Sequence, residues 1–259
     1  MIYKIGDEIK MNNKLRIDEL RKSFANNPFT KDQLYKLYLE EEPTLKETTF
    51  RWRVYNLKKE NIMYSIKRGL YIAKKENNFS PPIDKKLKNL YKKIKVKFPY
   101  SEISIWDTSW LNKYMVHQAR TNNIIIEVDK DVVSSAFAFL QDSMKNVFLN
   151  PDKHEIETYM MTGQSNVIVK NFVVESQVET REDIIVPRIE KIMIDLFVED
   201  ELYVTYQGAE LKNIYEAFFE TFSINQSKLN RYATKRKVKE RFLTFLKEET
   251  QIDKEKIYI

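Results

Sequence analysis

Two acidic residues at the end of a predicted strand are the chain's main candidates for catalysis. Glu127 lies in the apolar segment Ile124–Val128 and Asp129 follows two positions later, so both side chains would project from one face of the strand. Paired carboxylates can bind Mg²⁺. Lys170 and Glu175 on another predicted strand would complete the acidic and basic set of a metal-dependent nuclease, but the Glu-x-Lys spacing of such nucleases is absent. This nuclease is one alternative function.

The composition excludes several other kinds of site. With 0 Cys, the chain has no disulfide, thiolate nucleophile or iron–sulfur cluster, and its 2 His cannot form a three-His zinc site. The 4 glycines are isolated and form no phosphate-binding loop. Apart from the nuclease alternative, we therefore expect a protein with no catalytic residue, no metal site and no cofactor. Because no apolar run approaches the roughly 18 residues of a membrane span, and the first residues lack a signal-peptide core, we expect a cytoplasmic protein with no membrane partner.

A second group of residues suits contact with double-stranded DNA. These residues lie in one predicted helix and in the turn of the hairpin that follows it, and they are Lys46, Thr48, Thr49, Arg51, Trp52, Arg53, Tyr55, Asn56, Lys67 and Arg68. Arg51 or Arg53 would contact guanine and Asn56 adenine, since these are the usual side-chain partners of those bases. Lys67 and Arg68 would contact phosphates. Trp52 and Tyr55 would face either the DNA or a neighbouring domain.

The elements that would position these residues are those of a winged helix-turn-helix. Apolar spacing predicts a first helix from Ile17. Thr30 and Gln33 form a capping box for a second helix, and Thr44 and Glu47 form one for a third, which runs to about residue 60. Two strand-like segments follow, separated by Gly69, which suits a tight hairpin. In such a module the third helix enters the major groove.

Charge is strongly segregated along the chain, although the net charge is only +6. Residues 1–98 contain 24 Lys and Arg against 12 Asp and Glu, whereas residues 99–225 contain 10 against 21. Residues 226–241 are again basic, with 7 against 1. This distribution predicts a basic N-terminal part that binds a polyanion, joined to an acidic body.

The predicted fold is therefore α+β, a mixed α/β chain with three parts. Residues 1–76 form the winged helix-turn-helix, residues 77–98 form a basic linker and helix, and residues 99–259 form a mixed α/β domain with C-terminal helices. In the larger domain we predict a helix from Thr108 or Ser109 to Ala119, a strand over Val167–Glu175, a helix that starts at Pro187, and a last basic helix over Gln226–Glu248.

Five segments together resemble the AbiE-type antitoxins (AbiEi family) of bacterial type IV toxin–antitoxin systems. Two are in the N-terminal third and three in the larger domain, and they are Phe50–Leu57, Lys67–Tyr71, Val186–Leu196, Tyr206–Leu211 and Leu229–Ala233. The resemblance spans roughly residues 15–245, and the order and spacing of the segments carry it.

The resemblance implies an antitoxin with two tasks. The winged helix would bind inverted repeats in its own promoter and repress the operon, while the larger domain would counter a nucleotidyltransferase-like toxin, without a stable complex being required. It also implies functional positions in the larger domain, namely Pro187, Glu190, Lys191, Asp195, Arg231, Tyr232, Lys235 and Arg236. Glu190 and Lys191 would make contacts on a helix surface, and the basic run 231–241 would form a second phosphate-contacting face. A protein-interaction module without DNA affinity is the other alternative function.

Overall fold

The computed structural model describes residues 15–24, 27–59, 62–73, 78–160, 163–254 and 257, and it leaves the side chains of residues 64, 66 and 67 undescribed. The α+β class is confirmed, because helices and several small sheets are mixed along the chain. The chain divides into two compact units. The first, here the N-terminal unit, comprises Met1–Asn78, Thr221–Ser227 and Asp253–Ile259, and the second comprises Phe79–Glu220 and Lys228–Ile252.

Three helices and a three-stranded sheet form the N-terminal unit. In chain order they are α1 (Ile17–Phe24), β1 (Phe29–Thr30), α2 (Lys31–Glu41), α3 (Glu47–Lys59), β2 (Met63–Lys67) and β3 (Leu70–Ala73). The strand order is β1-β3-β2, and both pairs are antiparallel. The predicted sequence of three helices and a hairpin is therefore present, and the short strand before α2 adds a third strand to it.

Local sequence accounts for two of the connections in this unit. The Thr30 hydroxyl accepts a hydrogen bond from the Gln33 N–H and the Gln33 side chain accepts one from the Thr30 N–H, which confirms the predicted capping box of α2. Gly69 adopts a φ of 83° in the turn between β2 and β3, a conformation that favours glycine. The core beneath these elements includes Phe29 and Leu34.

The second predicted capping box is wrong, because α3 begins at Glu47 rather than at Thr44. Thr44 lies in a turn in which the Leu45 N–H donates to the Glu42 carbonyl oxygen, and Leu45 is buried in the core. The Glu47 carboxylate accepts hydrogen bonds from Arg51 instead of capping the helix.

A four-stranded sheet is the centre of the second unit. Its strands are β4 (Ile103–Asp107), β5 (Asn123–Val128), β6 (Val147–Leu149) and β7 (Asn166–Asn171), and a separate hairpin is formed by β8 (Val178–Arg181) and β9 (Ile184–Pro187). The order in the sheet is β4-β5-β7-β6; β4 is antiparallel to β5, and the other two pairs are parallel. Strands β5 and β7 are buried almost throughout, as is usual for parallel strands at the centre of a sheet.

Helices account for most of the rest of this unit. They are α4 (Lys85–Lys97), α5 (Val133–Gln141), the single turn α6 (Lys153–Glu155) followed by a π-helix (Ile156–Met160), α7 (Ile189–Val198), α8 (Ala209–Thr221), α9 (Gln226–Lys235) and α10 (Lys239–Glu249), with two 3-10 helices (Thr108–Tyr114 and Val204–Tyr206). No helix in the described ranges is both long and apolar enough to cross a membrane.

Four predicted elements of this unit differ from the structure. The segment after Asp107 is a 3-10 helix that ends at Tyr114, because Glu210 of α8 accepts the N–H groups of Val116 and His117, which an α-helix would need. The strand predicted to extend to Glu175 ends at Asn171.

The other two differences concern helix ends. Pro187 does not start a helix; it is the last residue of β9, and Arg188 is the N-cap of α7. The predicted helix Gln226–Glu248 is two helices, α9 and α10, which are separated at Lys237, where φ is 59°.

Candidate functional site

The exposed side of α3 carries two large aromatic side chains. Phe50, Val54 and Leu57 pack into the core on the opposite side, as their i, i+4, i+7 spacing predicts. Trp52 is 49% exposed and Tyr55 is 64% exposed. Thr48, Thr49 and Lys46 are also exposed at the beginning of the helix. The aromatic residues therefore occupy the middle of the face that the sequence assigns to DNA.

Arg53 does not belong to this exposed face. Its Nη2 atom lies 2.9 Å from both carboxylate oxygens of Glu42, and its guanidinium carbon lies 4.8 Å from the ring centroid of Tyr38. Only 11% of the side chain is exposed. Contact with a guanine would require Arg53 to leave a carboxylate and an aromatic ring, so the structure favours a packing role for this residue.

Arg51 and Asn56 remain near the exposed face but both have intramolecular partners. Arg51 donates to Glu47 at 3.1 and 2.6 Å, and 74% of its side chain is exposed, so this ion pair is weak and easily exchanged. The Asn56 amide nitrogen donates to the Trp52 carbonyl oxygen at 2.8 Å. This bond uses one of the two N–H groups of the amide, so it constrains the orientation of the side chain but leaves an N–H group and Oδ1 for other partners.

The turn of the β2–β3 hairpin presents Arg68 to solvent. The side chain of Lys67, its predicted partner in phosphate binding, lies outside the described part of the chain. Lys46, Lys59 and Arg68 are exposed cations, and none of them pairs with a carboxylate among the described residues. The N-terminal unit thus combines exposed aromatic rings with positive charge.

In the second unit, a buried ion network forms around Lys191 of α7. The Lys191 ammonium lies 2.8 Å from Glu127 Oε1 on β5, hydrogen-bonds to Asp195 one turn further along α7, and lies 3.2 Å from the Tyr232 hydroxyl on α9. The Tyr232 hydroxyl donates to Asp195 Oδ1 at 2.8 Å. All four residues are buried.

Three further side chains extend this network. Arg236 donates to Asp195 and, at 2.9 Å, to Glu199, the C-cap residue of α7. Lys170 of β7 hydrogen-bonds to Glu199 and lies 3.7 Å from Glu127. The buried ion network is defined here by these seven residues, namely Glu127, Lys170, Lys191, Asp195, Glu199, Tyr232 and Arg236. Its three cations balance its three carboxylates, as burial of charge requires.

In the buried ion network, burial and ion pairing shift the pKa of each group in opposite directions. Burial raises the pKa of Glu127, more than Lys191 and Lys170 lower it. Burial by itself would lower the pKa of Lys191, but the charges of Asp195 and Glu127 hold it well above the ordinary value of 10.5. Burial would raise the pKa of Asp195, but Lys191, Lys170 and Arg236 lower it overall. Lys191 and Asp195 are therefore held in their charged forms.

The positions that the resemblance singles out in the larger domain are mostly interior. Pro187, Glu190, Lys191, Asp195 and Tyr232 are buried, so the expectation that Glu190 and Lys191 make contacts on a helix surface is wrong. Glu190 and Lys191 belong to α7, of whose ten residues eight are buried, so this helix has almost no surface exposed to solvent.

The basic run after residue 230 divides between the interior and the surface. Arg231 and Lys235 are exposed, and Lys235 lies 3.9 Å from Glu175. Arg236, by contrast, is committed to Asp195 and Glu199. Of the predicted positions, Arg231 and Lys235 are therefore the two that can form an external basic face.

The two carboxylates of the nuclease alternative have separate surroundings. Glu127 contacts Lys191 inside the unit, whereas Asp129 follows the end of β5 and accepts a hydrogen bond from the Glu102 N–H at 2.8 Å. Among the described residues, no group of three or more His, Cys, Asp or Glu side chains is arranged to hold a metal ion.

Glu199 is a member of the network that the sequence interpretation missed. A signal existed, because Lys191, Asp195 and Glu199 recur every four residues along α7 and its C-cap, a spacing that places side chains on one side of a helix. Glu127 and Lys170 are each the charged residue of a strand that is otherwise apolar or uncharged, and they face each other in the parallel register of β5 and β7. Isolated charges of opposite sign in two apolar strands indicate a buried pair.

Comparison with known families gives a match that covers most of the chain. The model of a family described as "Family of unknown function (DUF6577)" matches residues 49–252. This range begins in α3 and includes the whole buried ion network. No curated protein matches the chain.

Replacement of Lys191 by Met should strongly destabilise the protein, because it leaves Glu127 and Asp195 buried with too little positive charge. We expect a loss of about 3–5 kcal/mol in the free energy of unfolding, measured by urea denaturation at neutral pH. The double variant Lys191→Met, Asp195→Leu restores the charge balance and should lie closer to the wild type. Lys235→Met is the matched control and should change stability by less than about 0.5 kcal/mol. A single variant as stable as this control would contradict the assignment.

Arg53→Ala and Arg51→Ala should have unequal effects on stability, although the two residues lie two apart on the same helix. Arg53→Ala removes the ion pair with the Glu42 carboxylate and the contact with the Tyr38 ring. Because Glu42 is partly exposed, we expect the free energy of unfolding to fall by only about 1 kcal/mol. Arg51→Ala removes an exposed i, i+4 pair and should cost about 0.3–0.5 kcal/mol. Unfolding monitored by circular dichroism compares them. Equal costs would show that Arg53 does not contribute to packing.

Proposed function

Because the chain belongs to the DUF6577 family, whose description states no function, we propose a function from its geometry: the N-terminal unit is a winged helix that binds double-stranded DNA, and the protein regulates transcription. The observation that carries the proposal is the exposed face of α3, which is followed at once by the antiparallel hairpin of β2 and β3. In a winged helix the third helix contacts the major groove.

The strand order of the N-terminal unit supports this proposal. In a winged helix, a strand between the first two helices pairs with the returning strand of the hairpin and so fixes the hairpin beside the helices. Here β1 pairs with β3, with Phe29 opposite Tyr71 and Thr30 opposite Leu70. The hairpin turn with Arg68 is thereby attached to the same core that holds α3.

The charge of this unit suits a polyanionic partner. Lys46, Lys59 and Arg68 are exposed cations, and the carboxylates of Glu42 and Glu47 are each paired with an arginine of α3. Neutralised carboxylates do not repel phosphates, so the remaining cations give the surface a net attraction for DNA.

We further propose that the protein is the antitoxin and autorepressor of a type IV toxin–antitoxin operon. In this proposal the N-terminal unit binds inverted repeats in its own promoter, and the second unit counters a nucleotidyltransferase-like toxin. The resemblance of five segments of the chain to AbiE-type antitoxins supports it. Within the second unit, the exposed Arg231 and Lys235 are the available contacts, since the other implied positions are buried or maintain the buried ion network.

Binding to DNA from upstream of the protein's own gene should be tight and sensitive to salt. We expect a dissociation constant on the order of 10⁻⁸ M or lower at physiological salt, and at least about 10³-fold weaker binding to unrelated DNA of the same length. Fluorescence anisotropy at several salt concentrations measures both. Equal affinity for the two DNAs at moderate salt would overturn the proposal.

Arg68→Ala tests the role of the hairpin turn in the same assay. Removal of one phosphate contact should weaken binding to both DNAs by a similar factor and reduce the slope of log K against log salt by about 0.9. Lys130→Ala, which removes an exposed cation of the second unit, is the matched control and should leave the slope unchanged.

A further inference from the structure

The exposed stripe of α3 is aromatic and methyl-bearing where a DNA-contacting helix commonly carries free arginines. Thr48, Trp52, Tyr55 and Lys59 follow one another at spacings of four, three and four residues, which places them on one side of the helix. We call these four residues the α3 stripe. Trp52 and Tyr55 are the exposed large hydrophobic side chains of the N-terminal unit within the described residues.

The two guanidinium groups of α3 lie outside this stripe, and that of Arg53 is largely buried. Arg53 is held by Glu42 and Tyr38, and Arg51 lies at the flank, paired with Glu47. The Asn56 amide nitrogen donates one of its two N–H groups to the Trp52 carbonyl oxygen. The stripe therefore offers ring carbons, the Thr48 methyl group and two hydroxyl groups, and it includes neither arginine of α3.

This chemistry matches one base in the major groove. Thymine is the base that presents a methyl group there, at C5, and it is recognised by apolar contact. A half-exposed tryptophan ring gives such a methyl group a surface on which to be buried. The exposed cations of the same unit supply the attraction for the phosphates on either side, so duplex DNA satisfies both the charge and the apolar surface.

We infer that the α3 stripe recognises thymine methyl groups in the major groove through Trp52 and Tyr55, and that the preferred half-site contains A·T pairs at the centre of the helix contact. This inference rests on the proposed function and adds the chemistry of base recognition to it. Tyr55 contributes its ring to a methyl group and its hydroxyl to a neighbouring acceptor, and Thr48 contributes a second methyl contact.

Substitution of deoxyuridine for thymidine tests the inference, because it removes the C5 methyl group and leaves the base pairing and phosphates unchanged. The full chain is titrated with the upstream DNA and with the same DNA in which every thymine is replaced by uracil. We expect binding to weaken about fourfold for each methyl group that the helix contacts, and more than about tenfold for two such groups. The salt slope should be the same for both DNAs.

The Trp52→Ala variant shows whether the helix stripe is responsible. It should bind the thymine-containing DNA more weakly than the wild type does, and its ratio of affinities for thymine and uracil DNA should fall towards one. Tyr100→Ala removes an exposed aromatic side chain of the second unit and should keep the wild-type ratio. Circular dichroism of both variants confirms that they are folded.

Two results would overturn the inference. Tight, sequence-specific binding with a thymine-to-uracil ratio of one leaves the proposed function intact and removes the methyl contact. Loss of self-association in Trp52→Ala, with an unchanged ratio, assigns the stripe to an interface between copies of the chain. Failure to bind either DNA specifically, by contrast, is the failure of the proposed function itself.

Discussion

The ion contacts of Lys191 are the constraint on which the second unit depends. One ammonium group binds a carboxylate of the central strand β5, a carboxylate of its own helix α7 and the phenol of Tyr232 on α9. In a low-dielectric interior each of these charges is costly without its partner. If one of these elements moved, a buried charge on another element would lose its partner. Arg236 and Lys170 extend the same condition to the end of α9 and to β7.

This constraint limits what the second unit has left for recognition. A side chain that holds a buried carboxylate cannot also be offered to a partner without loss of stability, and most positions implied by the resemblance are buried or of this kind. In the N-terminal unit the balance is different, because the aromatic side chains Trp52 and Tyr55 and the cations Lys46, Lys59 and Arg68 are exposed. The proposed contact with DNA therefore uses α3, the hairpin turn and the exposed cations of this unit.

The sequence predicted the structure correctly where residues close together in the chain determine it. The capping box of Thr30 and Gln33, the buried stripe of α3 and the turn at Gly69 depend on residues a few positions apart, and all were predictable. Predictions failed where a distant partner competes. Glu210, about ninety positions away, takes the backbone donors that would have extended the helix after Thr108. The break between α9 and α10 is instead a local turn, in which Lys237 has a φ of 59° and the Val238 N–H donates to the Ala233 carbonyl oxygen.

The two arginines of α3 also show that local sequence does not predict contacts between residues far apart in the chain. By residue type and spacing both were equal candidates for contact with guanine, and only the tertiary structure separates them. Glu42 and Tyr38 lie in the preceding segment, eleven and fifteen positions from Arg53, and together they make its position on α3 a packing position. Because that side chain is largely buried, the exposed aromatic rings of α3 become the main groups of the proposed DNA contact. Specificity at such a surface depends as much on which polar groups the fold has already used as on which residues the sequence places there.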